Sequence, residues 1–249
     1  MTAATATAAD ADAGPVRRRT GPPVVRAARL HLVAWQFPAL WPWGVLALSF
    51  VVNVAIFASV DEARGSWTGG LASIYVVQMI AYVQLFTRGF PFAFAMSVTR
   101  RAYYLGSWLY ATAVAAVWGA MLVVLRLVED ATDGWGIALR YFGVEPLHQD
   151  NLALQYLAFV VPFLLTAGVG AFLGLVVVRW RTNGVLTLVA ALVVLSGLTT
   201  IVVSRGGWWG AIGGWFADQP AAALSAAWPL PFVVVLGGLG YAVIRRATP

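Results

Sequence analysis

The stretch Glu145, His148 and Asp150 sets two carboxylates beside an imidazole, a donor set able to hold a divalent metal. The simpler reading of the same residues is a solvated acidic loop, so no metal site is assigned. Neutral polar side chains form a second set. Tyr75, Gln78 and Tyr82 share one helical face by their spacing of three and four, with Met79 beside them. Asn53, Ser196, Thr199 and Thr200 lie in other apolar stretches. In a membrane such groups either line a translocation path or bond neighbouring helices. The residue types also exclude chemistry. There is no cysteine, hence no disulfide, thiolate metal site or cysteine nucleophile, and all 16 basic residues are arginine. Without lysine, neither a nucleotide-binding P-loop nor a Schiff base can be built. No catalytic residue is assigned, and the chain is expected to be no enzyme.

The elements that must position these residues follow from composition. Of 249 residues, 61% are apolar and only 10% charged, against roughly 25% charged in soluble domains. Too few polar side chains exist to wet a surface all round, so lipid must be the main solvent. A spanning helix needs about 20 apolar residues. Six windows qualify: 38–59, 70–96, 105–128, 152–178, 184–203 and 221–244. The second continues past Arg88 through Gly89-Phe90-Pro91 as a broken end, and Pro229 and Pro231 interrupt the last. The expected fold is an all-α integral membrane protein with six spans.

No Asp, Glu or His falls mid-membrane in these windows, which disfavours proton-coupled carriers and intramembrane aspartyl proteases. His31 and His148 fall outside the bundle, as an interfacial and a loop histidine, so a rhomboid-type serine protease lacks its partner. Arg88 beside the Gly89–Pro91 break can snorkel to the surface. Arg126 can pair with Glu129 or Asp130 across a turn.

The formal net charge of +6 would point to nucleic acid in a soluble protein; here topology explains it. With the amino terminus inside, the cytoplasmic segments carry Arg17 to Arg19, Arg26, Arg29, Arg88, Arg100, Arg101, Arg179, Arg181, Arg245 and Arg246. The other side carries Arg64, Arg126, Arg140 and Arg205 with most of the acids, Asp61, Glu62, Glu129, Asp130, Asp133, Glu145, Asp150 and Asp218. Arginine gathers in short cytoplasmic loops, so both termini are placed inside. No nucleic-acid partner is expected.

Residues 1–23 have no apolar run and read as a disordered cytoplasmic tail. From Val24 to Phe37, arginines and His31 alternate with apolar residues and aromatics, as in a helix lying in the headgroup plane or a plain basic flank. Between Arg205 and Pro220, Trp208, Trp209 and Trp215 sit among glycines. That segment is either a re-entrant pair of short helices or a tryptophan belt. Gly170 and Gly174 form a small-xxx-small pair. The short cytoplasmic piece Ser97, Val98, Thr99, Arg100, Arg101, Ala102, Tyr103, Tyr104 is basic and aromatic. It can anchor to anionic headgroups or dock a soluble partner.

This arrangement resembles the permease subunits of type-2 ABC exporters. The run Phe90-Pro91-Phe92-Ala93-Phe94, the segment Thr99 to Gly106, and the outer Gly134-Trp135-Gly136 and Tyr141-Phe142-Gly143 are similar to actinobacterial members. The resemblance implies a dimer with a second permease copy in a bacterial cytoplasmic membrane. It implies a separate ABC ATPase that binds ATP and Mg and docks on 97–104, with no cofactor in this chain. Residues 24–37 would be the connecting helix, 205–230 the outer re-entrant region, and the second and fifth helices would line the path of an exported substrate. Against this stand a non-transport scaffold or lipid-modifying enzyme, and a secondary carrier.

Overall fold

A computed structural model describes residues 21–33, 36–60 and 66–247. Residues 1–20 of the tail expected over 1–23, and Asp61, Glu62 and Arg64 of the expected first outer loop, lie outside the described residues, while Pro23 already begins a helix. The described chain is helical: α1 Pro23–Val33, α2 Gln36–Ser59, α3 Ala72–Gln84, α4 Phe90–Ala95, α5 Arg100–Ala131, α6 Leu152–Gly206, α7 Trp209–Ala217 and α8 Pro229–Arg246. Five helical stretches are long and apolar enough to cross a membrane: Leu40–Ser59, Gly69–Ala95, Arg100–Ala131, Leu152–Gly206 and Ala223–Arg246. This is the architecture of a multi-pass membrane protein.

The second stretch joins α3 to α4 through a wide π turn at Leu85–Gly89, just before Pro91. A proline cannot donate to the carbonyl four residues back and its ring crowds it, so the ladder loosens there. The Tyr103 hydroxyl donates to the Leu85 carbonyl at 2.7 Å and so satisfies an acceptor at the turn. A Cβ at Gly89 would lie 2.7 Å from that hydroxyl, so only glycine lets the tyrosine in.

The helix α6 is 55 residues long, about 80 Å at 1.5 Å per residue, more than twice the hydrocarbon thickness. Arg181 breaks it, with φ +52° and ψ −145°, a conformation that costs a non-glycine residue roughly 1–3 kcal/mol. The two expected cytoplasmic ends of 152–178 and 184–203 are therefore joined by one strained residue, not by a loop. The limb before Arg181 is packed. Its Gly170 would put a Cβ 2.4 Å from the Met79 carbonyl, and Gly174 one 2.9 Å from that of Val83, so α6 and α3 run in backbone contact. The limb after Arg181 is not packed: every residue from Val189 to Val202 is exposed, as is all of α7.

Two cores result. Phe57, Ile74, Trp118, Leu139, Phe159 and Phe163 pack towards the end of the bundle formed by the α5–α6 connection, and Phe86, Phe90, Tyr103, Leu175 and Ile244 towards the other. The helix α1 buries Ala27 and His31, with Val24 and Ala28 half-buried, and exposes Arg26, Arg29 and Leu32. That apolar face sits on α5 at Gly106, where a Cβ would lie 2.8 Å from Ala27 Cβ and the Val24 carbonyl. The helix expected over 24–37 is thus docked against a spanning helix. The span expected over 105–128 begins earlier, because Thr99 caps α5 through its Oγ1, which accepts from the Ala102 amide.

Candidate functional site

The turn between α4 and α5 is short. Ser97 takes φ +60°, and its amide and that of Val98 donate to the carbonyls of Phe94 and Ala93, both at 3.0 Å. Because α5 starts at Arg100, the helix absorbs half of the expected docking segment. Ala102, Tyr103 and Tyr104 are buried in the core, so they offer a partner nothing. The surface that remains is Ser97, Thr99 and Arg101, exposed, with Val98 and Arg100 half-buried. Arg100 faces inward: its guanidinium lies 5.6 Å from the Phe94 ring centroid and donates to the Arg245 carbonyl at 3.2 Å. Arg179 donates to the Arg246 carbonyl. Cations thus cap the C-terminus of α8, where the helix dipole is negative. These bonds bring Arg100, Arg179, Arg245 and Arg246 to one end of the bundle.

The expected path residues divide into two groups that the fold does not unite. Tyr75 donates to the Phe159 carbonyl at 3.4 Å. Gln78 is 1% exposed and Tyr82 is 3% exposed, and neither side chain makes a hydrogen bond of good geometry among the described residues. Met79 is half-buried beside them, its carbonyl against Gly170. These side chains therefore lie in the packed α3–α6 seam and line no open channel there. Asn53 is occupied, accepting from Thr68 Oγ1 at 2.6 Å and donating to the Ser49 carbonyl at 2.8 Å. Ser196, Thr199 and Thr200 sit on the exposed limb of α6, where Ser196 donates to the Val193 carbonyl of its own helix.

At the opposite end Glu129 is buried, and its carboxylate collects four N–H donors. Oε2 accepts from the Trp135 indole at 3.0 Å and from the Tyr141 and Phe142 amides at 2.9 Å, and Oε1 from the Gly143 amide at 2.7 Å. Successive amides around one anion form a nest. It ties down a loop in which Asp133, Trp135 and Ala138 all hold positive φ. One turn earlier, buried Arg126 donates to the Gln149 carbonyl at 3.2 Å, to Gln155 Oε1, and to His148 Nδ1 at 2.9 Å. Its Nε lies 3.7 Å from Asp130. His148 therefore serves as an acceptor to arginine, and among the described residues no three potential metal ligands come together.

His31 is the other departure from expectation. It is buried, its Nε2 lies 3.0 Å from Ser107 Oγ, and its ring sits 5.3 Å from those of Tyr103 and Tyr110. Ser107 gives its proton to the Tyr103 carbonyl at 2.9 Å, so the imidazole is the donor, neutral and protonated at Nε2. Burial lowers its pKa from 6.5 to about 4.

Glu129, Gly106, His31 and the capping role of Arg100 escaped the sequence. The small residues Ala27, Ala28 and Gly106 were the one available signal for the α1–α5 contact. No family model matches this chain, nor does any curated protein or solved structure.

Proposed function

We propose that the chain is the transmembrane permease subunit of an ATP-binding-cassette exporter of a bacterial cytoplasmic membrane, driven by a separate ATPase. In this reading α6 supplies two spans that meet at Arg181, giving six in all with both termini inside, and 205–220 is a re-entrant outer segment. The observation that carries it is the limb of α6 after Arg181. It is apolar, unpacked, and bears Ser196, Thr199 and Thr200 on a surface exposed in the single chain. Hydroxyls on an unpartnered membrane helix favour a neighbour that shares hydrogen bonds or water with them. A second copy supplies that neighbour, and the path forms between copies.

Two further features support the assignment. The arginines of α5, α6 and α8 meet at one end, next to the exposed patch Ser97, Thr99 and Arg101, which offers a cytosolic partner a rigid basic knob. The chain has no lysine with which to grip a nucleotide phosphate, which fits a motor supplied by another polypeptide. Arg101→Glu reverses an exposed charge without touching the α8 cap, and is expected to abolish co-purification with the ATPase. Undiminished association and ATPase stimulation in that variant would remove the docking assignment.

A further inference from the structure

We infer that the groove between the start of α5 and the middle of α8 is a binding site for an anionic phospholipid. The two helices are spread apart there, tied by the bond from the Tyr104 hydroxyl to the Gly237 carbonyl at 2.6 Å. The groove, about 520 Å³, is walled by Leu105 and Trp108 on one side and Val233, Val234 and Gly237 on the other. Arg101 and Tyr241 stand at its mouth. From Arg101 to Trp108, or from Tyr241 to Val233, the walls run about 10–12 Å along the helix axes. That approaches the half-thickness of roughly 15 Å of one leaflet. The groove thus has the depth of an acyl chain and opens where a headgroup would lie.

Charge selects the occupant. Arg101 is exposed on the groove, and the Arg245 guanidinium lies 5.9 Å from the centroid of the Tyr241 ring, while Arg100 bonds the Arg245 backbone carbonyl. The acids among the described residues, Glu129, Asp130, Asp133, Glu145, Asp150 and Asp218, lie at the far end of α5, on the α5–α6 connection and just after α7, none of them on the groove. A phosphodiester bearing net negative charge meets Arg101 there, with Arg245 against Tyr241, and no carboxylate among the described residues repels it. Glycine at 237 keeps the floor open: a Cβ built there would stand 3.5 Å from the Trp108 ring, in ordinary contact, so a larger side chain would fill the space without displacing backbone. The inference requires only that the chain lies in a membrane and is independent of the exporter assignment.

The test uses the full chain in nanodiscs of phosphatidylcholine doped with photoreactive phosphatidylglycerol or, separately, photoreactive phosphatidylcholine carrying the same acyl probe. Cross-links are mapped by peptide mass spectrometry. Phosphatidylglycerol is expected to label Trp108 and the Val233–Gly237 stretch well above phosphatidylcholine. Arg101→Gln should lower that labelling about fivefold, the ratio expected for one arginine near a headgroup. Gly237→Leu should abolish labelling at the groove by either lipid, whereas Gly237→Ala, which fits, should retain it and serve as the folding control. Equal labelling by the two lipids, or labelling unchanged in both Arg101→Gln and Gly237→Leu, would overturn the inference. So would chain-to-chain cross-links at Trp108 replacing lipid adducts, which would place a second copy in the groove. Because Gly237→Leu leaves Ser97, Thr99 and Arg101 untouched, its lipid readout stands apart from ATPase docking.

Discussion

Removing the Glu129 carboxylate should unfasten the end of the bundle formed by the α5–α6 connection. Its four donors leave none of its charge unaccompanied, and three of them are consecutive backbone amides at Tyr141, Phe142 and Gly143. Each buried donor left without an acceptor costs about 1–3 kcal/mol. Glu129→Ala orphans three amides and an indole, some of which will reach water, and should destabilise the protein by roughly 3–6 kcal/mol. Glu129→Gln is the sharper test. The amide oxygen can replace Oε2, but the NH2 then faces the Gly143 amide, donor against donor, at a cost of about 1–3 kcal/mol. Denaturant-induced unfolding in bicelles would give the stability difference, and hydrogen exchange would report the amides of 141–143. Both should move together, with exchange accelerating at those positions first. A Glu129→Gln protein as stable as wild type, with those amides still protected, would refute the argument that the carboxylate holds the loop.

Three other outcomes follow from the same packing. With a folded-state pKa of about 4 against an unfolded 6.5, neutral His31 contributes stability that is complete above about pH 6.5. It is lost as pH falls towards 4, in all about 3 kcal/mol. The pH dependence of unfolding should flatten in His31→Phe, and parallel wild-type and variant profiles would exclude the effect. Gly170→Ala should cost about 1–3 kcal/mol by forcing α6 off the Met79 carbonyl, read as lowered melting temperature in nanodiscs. Unchanged melting would mean that the α3–α6 contact yields freely. Arg181→Gly should raise stability by about 1 kcal/mol through relief of the positive φ, provided the guanidinium has no second task; a loss of stability would show that it does.

Much of the helical layout could be read from the chain itself. The apolar windows reproduce Gly69–Ala95 and the ends of α2, and the proline break at Pro91 appears as a π turn one step earlier. Helix ends were less legible, because Thr99 starts α5 inside what hydropathy alone marks as a loop. Hydropathy measures solvent preference, and a capping hydroxyl leaves almost no trace in it. The polar side chains show the deeper limit. The periodicity of Tyr75, Gln78 and Tyr82 correctly places them on one face, but not which neighbour that face meets, and the α6 glycines at 170 and 174 close over it. Tyr103 and Tyr104, aromatic and next to arginines, have the composition of surface anchors, yet the turn of α5 sends them inward. Long-range pairs such as Glu129 with 141–143 require the loop path, which no local pattern encodes.

The central claim is that this chain gates a path while another polypeptide hydrolyses ATP. Tagged protein should be isolated in mild detergent from its native membrane and assayed for nucleotide hydrolysis, with every co-purifying chain identified by mass spectrometry. A stoichiometric P-loop ATPase, lost in Arg101→Glu, is the predicted result. A homogeneous chain that moves cargo across proteoliposomes with no P-loop protein present would contradict it.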